Sequence, residues 1–134
     1  MRTLTFCTSL LALLLVFAPF RCDAASGMTV PEMAVTTKVV KGKPIDAVRR
    51  ISAATVDVLY CFTRTKSASD EETVIRHRWF RDGVQVKESE LPVKGKRWRT
   101  YSRQSIDRSS VGNWRVDAVD AEGRTMRSVS FRIN

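Results

Sequence analysis

The chain has 134 residues, 43% of them hydrophobic and 28% charged, with a formal charge of +9. This is the composition of one folded domain, and it excludes a mainly disordered chain, a collagen-like repeat and a polytopic membrane protein. The basic excess, 23 Lys and Arg against 14 Asp and Glu, points to anionic surroundings without naming a ligand.

Residues 1–24 have the layout of a secretory signal peptide. Arg2 supplies a short positive start, Leu10 to Ala18 an apolar stretch, and Pro19 a helix stop. Cys22 and Ala24 place small residues at −3 and −1 of a cut after Ala24. The apolar run is shorter than the ~20 residues of a membrane-spanning helix, which weighs against an uncleaved anchor. Cys22 follows the bulky pair Phe20-Arg21, which does not suit a lipoprotein signal. Cleavage removes Arg2, Arg21 and Asp23, so the net charge falls only by one. It also removes Cys7 and Cys22 and leaves Cys61 alone. An exported domain with a single cysteine has no internal disulfide and depends on packing. The expected location is periplasmic or secreted, with no transmembrane segment after cleavage.

Residues 25–32 read as a flexible lead, and residues 33–134 as the domain. Met33 to Val40 is the first expected strand, closed by Lys41-Gly42-Lys43-Pro44. Residues 45–54 have weak helical spacing at Val48, Ile51 and Thr55 and are read as a loop with a short strand. From Thr55 to Thr65, Val56, Val58, Tyr60 and Phe62 share one face and Leu59 and Cys61 the other. Two apolar faces predict a central strand. Lys66 to Glu72 is a polar loop.

Thr73 to Phe80 is the third strand, with Ile75, His77 and Trp79 on one side and Arg76, Arg78 and Phe80 on the other. Asp82-Gly83 suits the positive φ of a hairpin turn. Val84 and Val86 begin the return strand, and Leu91-Pro92-Val93 reads as an edge segment because proline cannot donate to a ladder. Lys94-Gly95-Lys96 turns into a strand from Arg97 to Ser102. A polar stretch follows, Arg103 to Ser110. Trp114, Val116 and Ala118 alternate with Arg115 and Asp117, Asp120 to Gly123 turns, and Val129, Phe131 and Ile133 alternate with Ser128, Ser130 and Arg132. About seven antiparallel strands in such a length predict an all-β, immunoglobulin-like β-sandwich without the usual cysteine pair.

Several segments together resemble the bacterial domain-of-unknown-function family twenty-nine-fourteen. They are Leu59 to Arg64, His77-x-Trp79-Phe80-x-Asp82-Gly83, Lys96 to Ser102, Gly112-x-Trp114-Arg115-Val116, and Asp120 to Gly123 with Phe131. The resemblance covers roughly residues 33–134. It implies a β-rich domain of the bacterial envelope and no reaction, and it carries over no catalytic or binding residues. Tyr101 departs from the pattern, where a tryptophan-like aromatic is expected.

No catalytic motif stands out, and no metal site or cofactor is expected. His77, the one histidine, lacks further ligands. Ser102, Cys61 and Asp82 are conceivable triad partners, but no nucleophile elbow accompanies them. Its neighbours Ile75 and Trp79 favour a buried structural role over ligand contact or catalysis. Cys61 reads as a buried, inert thiol. If Trp98 points inward, Arg97, Arg99 and Tyr101 share the opposite face, either as a solvated surface or as a platform for sugars or anionic polymers. Arg76, Arg78 and Arg115 are expected to form a basic patch on neighbouring strands, with help from Arg132 and with Asp117 as the internal acid that would neutralise it.

The expected function is therefore a non-catalytic, exported envelope module. It would bind an anionic polysaccharide or cell-wall polymer through Arg76, Arg78, Arg97, Arg99, Tyr101 and Arg115. Nucleic acid fits the charge but not the compartment. The alternatives are an interaction domain that pairs with an envelope protein through a strand edge, and, less favoured, an enzyme centred on His77.

Overall fold

The computed structural model describes residues 27–134. The expected signal peptide, residues 1–24, lies outside the described residues. Seven long strands build the domain: β1 (Met28–Thr36), β5 (Val58–Ser67), β6 (Thr73–Arg81), β7 (Val84–Val93), β8 (Arg97–Ser105), β9 (Gly112–Val119) and β10 (Thr125–Ile133). Three two-residue strands, β2 (Val39–Val40), β3 (Lys43–Pro44) and β4 (Arg50–Ile51), fill the connection between β1 and β5. The sheets have the orders β1-β5-β8 and β4-β10-β9-β6-β7, with β2 and β3 as a separate hairpin. All pairings are antiparallel except that of β4 with β10.

The core lies between the two larger sheets. β5 and β1 send in Leu59, Cys61, Met33 and Val35, and β6, β9 and β10 send in Ile75, Trp79, Trp114, Val116, Ala118, Phe131 and Ile133. Alternation selects these residues, because successive side chains on a strand point to opposite faces. Trp79 is fully buried and meets Trp114 and Phe131 edge-on, at 6.5 and 6.3 Å between ring centroids. Trp114 stacks on Phe131 at 5.9 Å, and its indole N–H donates to the Ser110 carbonyl at 2.7 Å. The expected core of the last hairpin and the third strand is therefore present, with Val129 packed against it only in part.

The amino-terminal boundary needs correction. Residues 28–32 belong to β1 rather than to a flexible lead, and Met28 and Val30 are buried. Pro31 and Glu32 interrupt the alternation because the ladder with β5 is irregular between Thr29 and Glu32. The Arg127 side chain crosses from β10 to this bend and donates to the carbonyls of Val30 and Pro31, at 3.2 and 2.9 Å.

The expected strand from Met33 to Val40 breaks after Thr36. Asp46 causes the break by accepting from the Thr36 hydroxyl (2.6 Å), the Thr37 amide (2.8 Å) and the Thr37 hydroxyl (2.6 Å). The chain then makes the β2–β3 hairpin, whose turn holds Lys41 and Gly42 at φ 50° and 69°. Gly42 lies against the Arg99 side chain, so the hairpin tip reaches β8 at the far side of the three-stranded sheet.

β7 is one ten-residue strand rather than two pieces. It forms the edge of its sheet, as Pro92 requires. The Asp82-Gly83 turn has the expected positive φ values, 48° and 81°. β8 continues to Ser105, three residues past its expected end, before a short 3-10 turn at Arg108–Ser110.

Candidate functional site

The six basic and aromatic residues singled out by the sequence fall on two different surfaces. Arg97, Arg99 and Tyr101 stand on β8, on the outer face of the three-stranded sheet. Arg76, Arg78 and Arg115 stand on β6 and β9, on the outer face of the five-stranded sheet.

On the five-stranded sheet, β6 and β9 are neighbours as expected, with Arg78 opposite Asp117 and Phe80 opposite Arg115. The charges, however, alternate. Arg76 lies 3.6 Å from Glu88 and 3.4 Å from Glu90, and Arg78 lies 3.6 Å from Glu88. Arg76 also donates to the carbonyls of Asp120 and Ala121. Arg115 donates to Asp117 at 2.9 Å, and Asp117 accepts in addition from the Ser128 hydroxyl at 2.6 Å. The Arg115 guanidinium rests 4.3 Å above the centre of the Phe80 ring. These arginines form an internally balanced ladder, not a continuous positive patch. The acids of β7 supply this balance in addition to Asp117.

The three-stranded sheet is different. Its inner side carries Leu59, Cys61, Thr63 and Thr65, so Tyr60, Phe62, Arg64 and Lys66 project to the other side, where Phe62 is itself fully covered. The register then sets Arg64 opposite Arg99, Lys66 opposite Arg97, Phe62 opposite Tyr101 and Tyr60 opposite Arg103. Like charges directly opposed on one face repel. Glu32 on β1 reaches Arg64 at 3.2 Å. Among the described residues, no carboxylate lies within ion-pairing distance of Arg97, Arg99 or Arg103. Tyr60 and Tyr101 meet edge to face at 5.8 Å, and Tyr101 is half exposed. A hollow of about 440 Å³ is lined by Arg64, Arg97, Trp98 and Arg99. Trp98 itself packs partly against the core, as the parity of the strand demands.

His77 is buried between the sheets. One ring nitrogen, Nε2, lies 3.1 Å from the Thr63 hydroxyl, and Nδ1 lies 2.7 Å from the Ser102 hydroxyl. The Trp79 indole N–H also donates to Ser102, at 3.1 Å. A neutral ring suits this site, because one nitrogen can donate and the other accept. Burial lowers the His77 pKa from 6.5 to about 4. The cluster ties β6 to β5 and β8 through the core. Ser102 is the triad partner nearest to His77, but it too is buried, and no carboxylate is bonded to the ring among the described residues. Asp82 is engaged elsewhere, accepting from the Asn113 amide at 2.9 Å. Cys61 is free and fully buried, and desolvation pushes its thiol pKa well up. Among the described residues, no group of His, Cys, Asp and Glu could hold a metal ion.

Sequence reasoning missed Arg64, Lys66 and Arg103 as members of the β8 surface. The available signal was their parity with Tyr60 and Phe62 on one strand and with Tyr101 on the other.

Two sheets packed face to face, with the chain crossing between them from β5 to β6, from β7 to β8 and from β8 to β9, define an immunoglobulin-like β-sandwich. An immunoglobulin-like protein from Pseudomonas aeruginosa is similar to this chain, at 11% identity and a TM-score of 0.56. The likeness covers 83% of this chain and 99% of that one. The alkylpurine DNA glycosylase AlkC from Pseudomonas fluorescens, bound to DNA containing an abasic site analogue, is similar at 12% identity and a TM-score of 0.54. There the likeness covers 83% of this chain and 31% of that one. At such identities these likenesses speak for the fold alone. By sequence, residues 72–133 match the model of the family described as protein of unknown function (DUF2914). This is the family that the motifs resemble, and the match runs from just before β6 to the end of β10. No curated protein matches the chain.

Proposed function

We propose that the chain is an exported, non-catalytic binding module of the bacterial envelope that holds an anionic polysaccharide or cell-wall polymer on the outer face of its three-stranded sheet. The observation that carries this reading is the pair of opposed cations on that face, Arg64 with Arg99 and Lys66 with Arg97. Folding brings these charges together against their own repulsion, and a polyanion would relieve it. Tyr60 and Tyr101 lie among the cations and add flat rings on which a sugar can stack. The reading narrows the expected surface to Arg97, Arg99 and Tyr101 and adds Arg64, Lys66 and Arg103. It sets aside Arg76 and Arg78, which have acids of their own. The non-catalytic part rests on the sealed Ser102–His77 pair, which substrate cannot reach. Export rests on the order of features in residues 1–24, and an exported chain beginning at Ala25 by intact mass would support it.

The test is retention on an immobilised acidic polysaccharide at several salt concentrations. Wild-type retention should fall steeply with added salt, because exposed charges are screened within ~10 Å at moderate ionic strength. The variant Arg97→Ser/Arg99→Ser should lose it, and Arg76→Ser/Arg78→Ser should keep it. Equal retention by the two variants, or retention indifferent to salt, would overturn the assignment of this face.

A further inference from the structure

The outer face of the five-stranded sheet is balanced along β7 and unbalanced at the opposite corner. Beyond Arg115, the next outward position on β10 is Arg132, which stands opposite Asn113 on β9 and Arg50 on β4. A shallow pocket of about 440 Å³ opens here, with Arg49, Phe80, Asn113, Arg115, Ser130 and Arg132 among its lining residues. Neither Asp nor Glu contributes to the lining.

Two of the three guanidinium groups are held in place, and none of their anchors lies across the pocket as a counter-charge. Arg115 uses Nε to hold Asp117, outside the pocket, and rests over the Phe80 ring. Arg132 donates through Nε to the Asn134 side-chain oxygen at 3.2 Å and through a terminal nitrogen to that of Asn113 at 3.5 Å. Both of those partners are neutral amides. A guanidinium carries five N–H donors, so each of these side chains keeps donors to spare. Fixed, under-used guanidinium groups around one hollow suit a planar or tetrahedral anion, which accepts two hydrogen bonds from each.

We infer that this pocket is a second, separate site, which binds the carboxylate or phosphate group of a small anionic ligand between Arg49, Arg115 and Arg132. It is independent of the polymer-binding face, because no residue is shared between them. Ser130 adds a hydroxyl to the lining, and Asn113 an amide.

The test is a titration of the labelled protein with inorganic phosphate, with glucuronate, and with sodium chloride of matched ionic strength, followed by amide shifts. Either anion should move the amides of Gly83, Asn113 and Ser130 along a saturating curve that chloride does not reproduce. A response to phosphate alone, to glucuronate alone or to both assigns the anion class. Arg132→Ser should weaken that response tenfold or more. Arg49→Glu, which changes a residue outside the long strands, should abolish it in a protein that still folds. Arg97→Ser/Arg99→Ser should leave it intact, so failure of the polymer reading and failure of this one are distinguishable. Linear shifts shared with chloride, or a saturating response that survives Arg49→Glu, would overturn the site.

Discussion

Arg64 on β5 and Arg99 on β8 occupy directly opposed positions on one exposed sheet face, and Glu32 answers only the first of them. Directly opposed like charges on a sheet face cost ~0.2–1 kcal/mol relative to neutral pairs. Arg99→Thr should therefore leave the protein as stable as wild type at low salt or raise its stability by about that much. The wild-type urea midpoint should also rise with added salt, and the variant should show a smaller rise. A loss of stability in Arg99→Thr would mean that the packing of the arginine side chain outweighs the repulsion.

His77 makes stability depend on pH in a defined window. The free ring titrates near 6.5 and the folded one at about 4, because burial disfavours its charged form. Between these values the unfolded chain carries a proton that the folded one lacks, so falling pH favours unfolding. The contribution is complete above pH 6.5 and is lost as the pH falls toward 4, in total about 3 kcal/mol at 1.36 kcal/mol per pH unit. Asp46 and Asp107 also titrate low when folded. At Asp46, burial raises the pKa, but bonds from Thr36 and Thr37 outweigh it; at Asp107, bonds from Ser109 lower it. Their contributions are present above the usual carboxylate range and disappear only at more acid pH, outside the histidine window. Urea midpoints should fall between pH 6.5 and 4 in wild type and stay flat in His77→Phe. A flat wild-type profile would contradict the burial of a neutral ring.

Trp114 joins the two residues that organise the core, stacking on Phe131 and meeting Trp79 edge-on. Trp114→Ala removes these contacts and leaves the Ser110 carbonyl without its indole donor. It should cost ~3–5 kcal/mol, a large share of a small domain's stability. Thermal melting within a few degrees of wild type would show that the assigned core face is wrong.

Gly112 opens β9 at φ 150°, and a side chain there would meet the Asp82 carboxylate at 2.7 Å. That carboxylate fastens the β6–β7 turn to β9 through the Asn113 amide. Gly112→Ala should therefore destabilise the protein by ~1–3 kcal/mol, the range of a strained backbone position. Thermal melting measures it, and an unchanged midpoint would show that the turn gives way without cost.

The parts legible in the sequence are those in which one short segment contains its own pattern. Ile75, His77 and Trp79 alternate with arginines, as Trp114, Val116 and Ala118 alternate with Arg115 and Asp117, and each set reveals its buried face without reference to a partner. The Asp82-Gly83 turn is legible because few residue pairs accept two positive φ values. The start of β1 is not legible, because Pro31 and Glu32 disturb the alternation at an irregular ladder, and Met28 and Val30 alone look like a tail. The candidate sites depend on register between distant segments. Nothing near Arg99 announces Arg64, and nothing near Arg76 announces Glu88 and Glu90. The hydroxyls that satisfy His77 likewise come from other strands, 14 and 25 residues away. Charge read along one strand therefore overstated one basic patch and missed part of the other.

The reach of Arg127 to the carbonyls of Val30 and Pro31 has a consequence for self-association. Those acceptors lie on an outermost strand, where a strand of a second molecule could otherwise dock and start fibre growth. A guanidinium already occupies them, and Pro31 brings no N–H to the same stretch. A neighbouring molecule thus finds a blocked template along this stretch of β1, and edge-to-edge growth through the start of the strand is disfavoured.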